Sequence, residues 1–240
     1  MILFLIPLLF DYVLYGVFFI TAYNMAQAGM NAALVSAPMV IWGVSYAVCA
    51  VVFGRFTRRE NAGFLLQLSG WATAGVSIFF LCFPNVWAQL FGIFLMGVVS
   101  ACYCVPFQIY AGGSDFGDGR PKRTAGFYTF SWSLGTAVGT LGFGCLPGRI
   151  AFMVNVGIGI LIALLVIFQK RLSKKTSETR NSTPPPPDKA ERKSVPDRML
   201  AAWIFCGTAA FVMTLVSALI PLRGVEIQLR SEERRVGKEC

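Results

Sequence analysis

The first thing this sequence is short of is charge. Asp, Glu, Lys and Arg make up only 14% of it, against roughly 25% in an ordinary globular domain. The shortage is also uneven. Residues 12–54, 61–114, 124–148, 150–169 and 199–222 hold no charged side chain at all, which excludes an ordinary soluble domain. A membrane helix needs about 20 apolar residues, so the run 61–114 is long enough for two crossings, with Pro84-Asn85 as the break between them. The pattern predicts seven spans, at about 2–23, 33–54, 63–83, 86–110, 124–146, 150–169 and 199–221. The first of these lacks a basic front region and a cleavage site, so it reads as a retained span, not a leader. The fold class expected is all-α, a polytopic membrane helical bundle.

Histidine is absent altogether. Cys102-Tyr103-Cys104 has the wrong spacing for a zinc knuckle, and no histidine completes one. Neither a metal nor a cofactor is expected, and six of the seven cysteines lie inside spans as small apolar packing residues. There is no Gly-x-Ser-x-Gly segment and no pair of carboxylates within the spans. An intramembrane enzyme, which needs placed nucleophiles, acids or metal ligands, is not expected.

The charge that is present lies on one side. Arg55, Arg58 and Arg59 follow the second span, and Arg120, Lys122 and Arg123 follow the fourth. Nine Lys or Arg occupy 170–198, while the alternate loops hold only Arg149. Basic residues are retained on the cytoplasmic side. The N-terminus and the loops after spans two, four and six are therefore expected in the cytoplasm, with the protein in the cell membrane. The formal charge of +9 sets topology and does not point to nucleic acid.

Residues 1–169 form the first six-span unit. Residues 170–198, with four consecutive prolines at 184–187, read as a flexible cytoplasmic linker. A seventh span at 199–221 starts a second set, and a short loop covers 222–229. The last eleven residues, 230–240, run Arg-Ser-Glu-Glu-Arg-Arg-Val-Gly-Lys-Glu-Cys. Read back through the genetic code, they resemble a short-read sequencing adapter and are set aside as an assembly artefact. The chain is accordingly expected to be a fragment.

Span four carries Gly97 and Pro106, then leads to Asp115, Asp118 and the basic turn Arg120-Pro121-Lys122-Arg123. Span five opens Thr124-Ala-Gly-Phe-Tyr and continues with Gly135, Gly139, Gly142 and Gly144. Together with the six-span, linker, next-span plan, this resembles the major facilitator superfamily over about residues 1–221. The resemblance implies a secondary transporter working by alternating access between two six-helix bundles. It also implies a small-molecule solute, a co-transported proton or cation, and a monomer when complete. One bundle holds half of such a site, so this polypeptide alone is not expected to transport. A seven-span receptor or scaffold is the alternative.

The family's antiporter pattern places a proline after the second of the glycines. Here Thr140 follows Gly139, and Phe143 stands where a glycine is expected, which weakens a drug–proton antiporter assignment. The loop after span two reads Gly54-Arg-Phe-Thr-Arg-Arg-Glu-Asn. Gly54, Arg58 and Arg59 are candidates for the family's cytoplasmic ion-pair latch, although the acidic residue expected before the arginines is missing and Glu60 follows them instead. A plain topology-setting loop fits equally. The arginine the family carries shortly before Gly97 is also absent.

Asp11 is the sole acidic residue inside a span. A carboxylate in the bilayer costs a few kcal/mol or more, so it faces the bundle interior or water. It is the ion-coupling candidate, unless it sits at the membrane edge. Gly135, Gly139 and Gly142 are helix-packing candidates, because glycines four apart share a face and admit a second backbone. Asn24, Gln67, Gln108 and Trp132 are candidates to line a solute cavity.

Overall fold

The computed structural model describes residues 2–113, 121–146 and 148–180. Asp115, Asp118, Arg120, most of the expected linker, the seventh span and the adapter-like tail lie outside the described residues. Six helices follow one another: α1 (Ile2–Gln27), α2 (Ala32–Phe56), α3 (Arg59–Cys82), α4 (Val86–Gly113), α5 (Pro121–Cys145) and α6 (Gly148–Arg180). No strand occurs among the described residues. The chain is an all-α membrane bundle.

Local chemistry sets the helix ends. After α1, the Met30 N–H donates to the Met25 carbonyl and the Gly29 N–H to the Ala26 carbonyl, each at 3.1 Å. This is a Schellman closure, and it needs the left-handed φ of 71° that Gly29 adopts. Asn31 then caps α2 by accepting the Leu34 N–H at 2.9 Å. Asn85 does the same for α4, accepting from Ala88 at 2.8 Å.

Five helices combine spanning length with sufficient hydropathy, at 24 or 25 residues each. At 1.5 Å per residue they are about 36 Å long, which covers a hydrocarbon core of about 30 Å. The chain is an integral membrane protein. α5 has the length but not the hydropathy, because Gly, Ser and Thr fill it. Their hydroxyls bond within the helix: Thr136 donates to the Trp132 carbonyl at 3.1 Å and Thr140 to the Thr136 carbonyl at 2.9 Å. Ser69, Thr73 and Ser77 in α3 do likewise at 2.7–2.8 Å. A polar group that bonds its own helix leaves little unsatisfied in lipid.

The main helix contacts are α1 with α5, α3 with α6 and α2 with α4. Exchanging helices 1–3 for helices 4–6 turns the first contact into the third and leaves the second unchanged, so the bundle is built as an internal repeat. Small residues make each contact possible. A Cβ on Gly70 would stand 2.6 Å from the Ala163 nitrogen, and one on Gly159 would stand 2.5 Å from the Ala74 nitrogen. Gly70 and Ala74 on α3 thus interlock with Ala163 and Gly159 on α6, running in opposite senses. Gly135 meets the Leu8 carbonyl and Gly139 the Tyr12 backbone, in parallel sense. Gly97 lies against Ser45 and the Trp42 carbonyl of α2, where the Trp42 indole N–H also donates to Ser100 at 3.0 Å.

Phe143 has its own seat. Its ring lies against Gly16 of α1, where a Cβ would meet the ring carbons. From there Phe143 contacts Phe152 edge-on at 6.1 Å, and Phe152 stacks on Phe80 at 5.1 Å. Phe80 in turn sits over Gly92, whose Cβ would be 2.6 Å from the ring. This buried aromatic layer joins five helices between two glycine seats. Gly16→Ala is expected to cost about 1–3 kcal/mol by overpacking. The double variant with Phe143→Leu should recover part of that loss. Additive losses in thermal melts would show that the two positions do not touch.

α6 runs on past 169 through Lys170 to Arg180, so the first part of the expected linker is helix. Lys170 is tied to the bundle: a Cβ on Gly63 would be 2.6 Å from its Cε. Its stem lies along apolar surface, as lysines near membrane ends do.

Candidate functional site: a carboxylate at the base of an aromatic groove

α1 touches α2, α4, α5 and α6, whereas α2 and α5 do not touch each other. The strip of α1 and α4 that lies between α2 and α5 is the candidate groove. Asp11 lies there, 6% exposed, and the indole N–H of Trp132 on α5 donates to its carboxylate. One helical turn along each helix, the Tyr15 and Thr136 hydroxyls share a hydrogen bond. From the opposite wall, the Tyr46 hydroxyl of α2 donates to the Cys104 sulfur of α4. Tyr15, Tyr103, Cys104 and Tyr128 all lie within electrostatic reach of the Asp11 carboxylate.

Aromatic rings pack this floor. Phe10 stacks on Tyr103 at 4.0 Å, Tyr103 meets Phe107 at 5.5 Å, and Phe107 meets Tyr128 at 5.4 Å. The last pair bridges α4 to α5, toward the end of the bundle that carries the α2–α3 loop. Tyr15, Tyr46, Tyr128 and Trp132 are half-buried, while Asp11 beneath them is buried.

The sequence-derived residues divide into groups. Asp11 and Trp132 come together. Gln108 is exposed on α4, one turn from Cys104 and on the same face. Gln67 is elsewhere: it shares a face with Gly63 and Gly70, which turn to α6, and α3 packs along α4 and α6, not along α1 or α5. Asn24 is half-buried near the far end of α1, about 20 Å along the helix from Asp11. Gly135, Gly139 and Gly142 all line α1, Gly142 against the Tyr12 hydroxyl, which its Cβ would meet at 2.9 Å. Tyr15, Tyr46, Tyr103 and Tyr128 were not singled out by sequence. The available signal was helical spacing alone: Tyr15 is four residues from Asp11, and Tyr128 four from Trp132.

The sequence model described as Major Facilitator Superfamily matches residues 2–230. The chain belongs to the Major Facilitator Superfamily. No curated protein and no solved structure matches it. As a superfamily member the chain is a membrane transporter by family, and its partners are a small solute and the lipid bilayer.

The superfamily's loop landmark takes a specific shape here. Asn61 organises the turn, accepting the Arg58 N–H at 2.7 Å and donating to the Phe56 carbonyl at 2.9 Å. Thr57 is buried and donates to the Phe53 carbonyl at 2.6 Å. Arg58 and Arg59 are exposed, and Gly54 has open space where a Cβ would go. Two further buried polar residues lie outside the groove's polar contacts. Gln89 donates to the Pro84 carbonyl at 3.1 Å, closing the α3–α4 loop. Asn155 on α6 is fully buried, and neither of its amide atoms has a hydrogen-bond partner among the described residues.

Proposed function

We propose that the chain forms one bundle of a secondary carrier that moves a small solute by alternating access, with Asp11 as the ion-coupling group. One observation carries this reading. The carboxylate is buried at the base of the groove, and its bond to Trp132 ties α1 to α5. A carboxylate kept inside a membrane bundle is costly and marks an ion or solute pathway. The internal repeat supports the same reading, because carriers of this type rock repeat-built bundles around a site near the midplane. In this reading the α2–α3 loop end faces the cytoplasm, because the basic residues gather there. Residues 170–198 continue on that side as a linker, and 199–221 open the second bundle. Gly54, Arg58 and Arg59 would act in a latch at the cytoplasmic side.

The test is access to the groove in the product of the uninterrupted gene, with native cysteines replaced. Tyr15→Cys should react with a charged, membrane-impermeant thiol reagent from either side of sealed vesicles. Transported solute should shift the balance between the two sides. Val48→Cys, on the exposed apolar face of α2, should react from neither side. Reaction of Tyr15→Cys from one side only, unmoved by any condition, would contradict alternating access.

A further inference from the structure

We propose that the Asp11 groove takes an organic cation with an apolar, ring-bearing body. This rests on the carrier reading and adds the class of solute. The argument starts from charge. Among the described residues α1 and α4, the floor of the groove, contain no Lys or Arg. In α2 the one basic residue is Arg55, in its last turn. In α5 they are Lys122 and Arg123, next to its first residue. Asp11 is thus held by an uncharged indole N–H, with no cationic side chain across from it. Within this bundle its countercharge can come only from a proton or from the solute.

The walls decide what kind of cation fits. Tyr15, Tyr128 and Trp132 come from α1 and α5 and stand half-buried within reach of the carboxylate. Tyr46 of α2 stands half-buried beside Cys104, and Tyr103 and Phe107 are buried. Aromatic faces attract cations, and do so more strongly once the cation has shed its water. A small inorganic cation needs a shell of oxygen ligands, whereas the groove offers one carboxylate and several rings. A polyol needs several free donors and acceptors. Here the Tyr46 hydroxyl is engaged by Cys104 and the Tyr15 hydroxyl by Thr136, and the amides of Asn24 and Gln67 lie elsewhere. The groups left are the Tyr103 hydroxyl, buried without a hydrogen-bond partner among the described residues, and the exposed Gln108 amide, too few to surround a polyol. An anion meets the carboxylate directly. A delocalised or substituted ammonium-type or phosphonium-type cation suits both features.

The test is equilibrium binding of tetraphenylphosphonium to the product of the uninterrupted gene in nanodiscs of zwitterionic lipid, with empty nanodiscs as the blank. Tetraphenylborate has the same shape and the opposite charge. Tetraphenylphosphonium should bind saturably, one per chain, and tetraphenylborate should not. Asp11→Asn should weaken phosphonium binding about tenfold or more, and Asp11→Glu should retain most of it. Trp132→Phe keeps a ring and should lose less affinity than Trp132→Leu. Equal binding of the two ions, no saturable phosphonium binding, or phosphonium binding indifferent to Asp11→Asn would each overturn the proposal. If Asp11→Asn melts below the parent, the comparison of Asp11→Glu with Trp132→Leu decides instead. Two-sided access at Tyr15→Cys without phosphonium binding would leave the carrier reading standing and remove the organic-cation class. Phosphonium binding with one-sided access would do the reverse.

Discussion

Gly139→Leu is expected to destabilise the purified protein by about 3 kcal/mol or more, at the upper end of overpacking costs. At Gly139 the first added carbon would fall against the Tyr12 carbonyl oxygen and 2.8 Å from the Tyr12 Cα. Both are backbone atoms, so no side-chain rotation relieves the clash. α1 cannot easily retreat, because Phe10 stacks on Tyr103 and Phe18 packs edge-on against Trp42 at 5.4 Å on its other side. α5 has to move instead, carrying Trp132 away from Asp11. Gly142→Ala should cost less, since its nearest neighbour is the movable end of the Tyr12 side chain. Gly43→Ala and Gly75→Ala, with open space at the new Cβ, should be neutral or slightly stabilising, because alanine favours helix by up to about 1 kcal/mol. Thermal melts in one detergent rank the four. If Gly139→Leu melts with the parent, α5 does not approach α1 as described.

The helices were legible because lipid imposes a simple rule on sequence. Charge-free runs located all six described helices, and Pro84-Asn85 marked the break where α3 ends and α4 is capped. The far end of α6 was not legible by that rule. Lys170 breaks the apolar run, yet a lysine stem can lie on apolar surface while its helix continues. The glycine spacing on α5 announced a close contact without naming the partner. Only the crossing geometry shows it to be α1, with Leu8 and Tyr12. Likewise, Gly70 with Ala74 and Gly159 with Ala163 carry the same four-residue spacing, but nothing local says that they face each other. Phe143 looked like a departure from the family pattern, and its explanation sits more than a hundred residues away at Gly16.

The site was half legible. Asp11 stood out because a lone carboxylate in a span is costly and therefore informative. Trp132 was one of several polar or aromatic residues in spans, and nothing in the sequence paired it with Asp11. The tyrosines around them carried only the four-residue spacing of Tyr15 from Asp11 and of Tyr128 from Trp132, which decides little, since tyrosine in a membrane helix is as often an interface anchor. Gln67 and Asn24 drew notice for polarity alone, and helix packing directs them away from the groove.

Asp11→Asn is expected to separate two activities of the uninterrupted gene's product that are normally linked. Asparagine keeps the size of the side chain, and its carbonyl oxygen can still accept the Trp132 N–H, so the α1–α5 tie persists. What disappears is the ability to gain and lose a proton. An ion gradient biases a two-state carrier only through a group that interacts differently with the ion in the two states. Without such a group the bundle still rocks, and solute still crosses in exchange for solute. Solute can no longer be driven uphill. In proteoliposomes with an imposed pH gradient, side-by-side uptake and exchange assays of parent and variant make the decisive measurement. At solute concentrations that saturate both proteins, exchange near the parental rate with no accumulation above equilibrium is the result expected. Accumulation by Asp11→Asn equal to that of the parent would contradict the account and place coupling outside the groove.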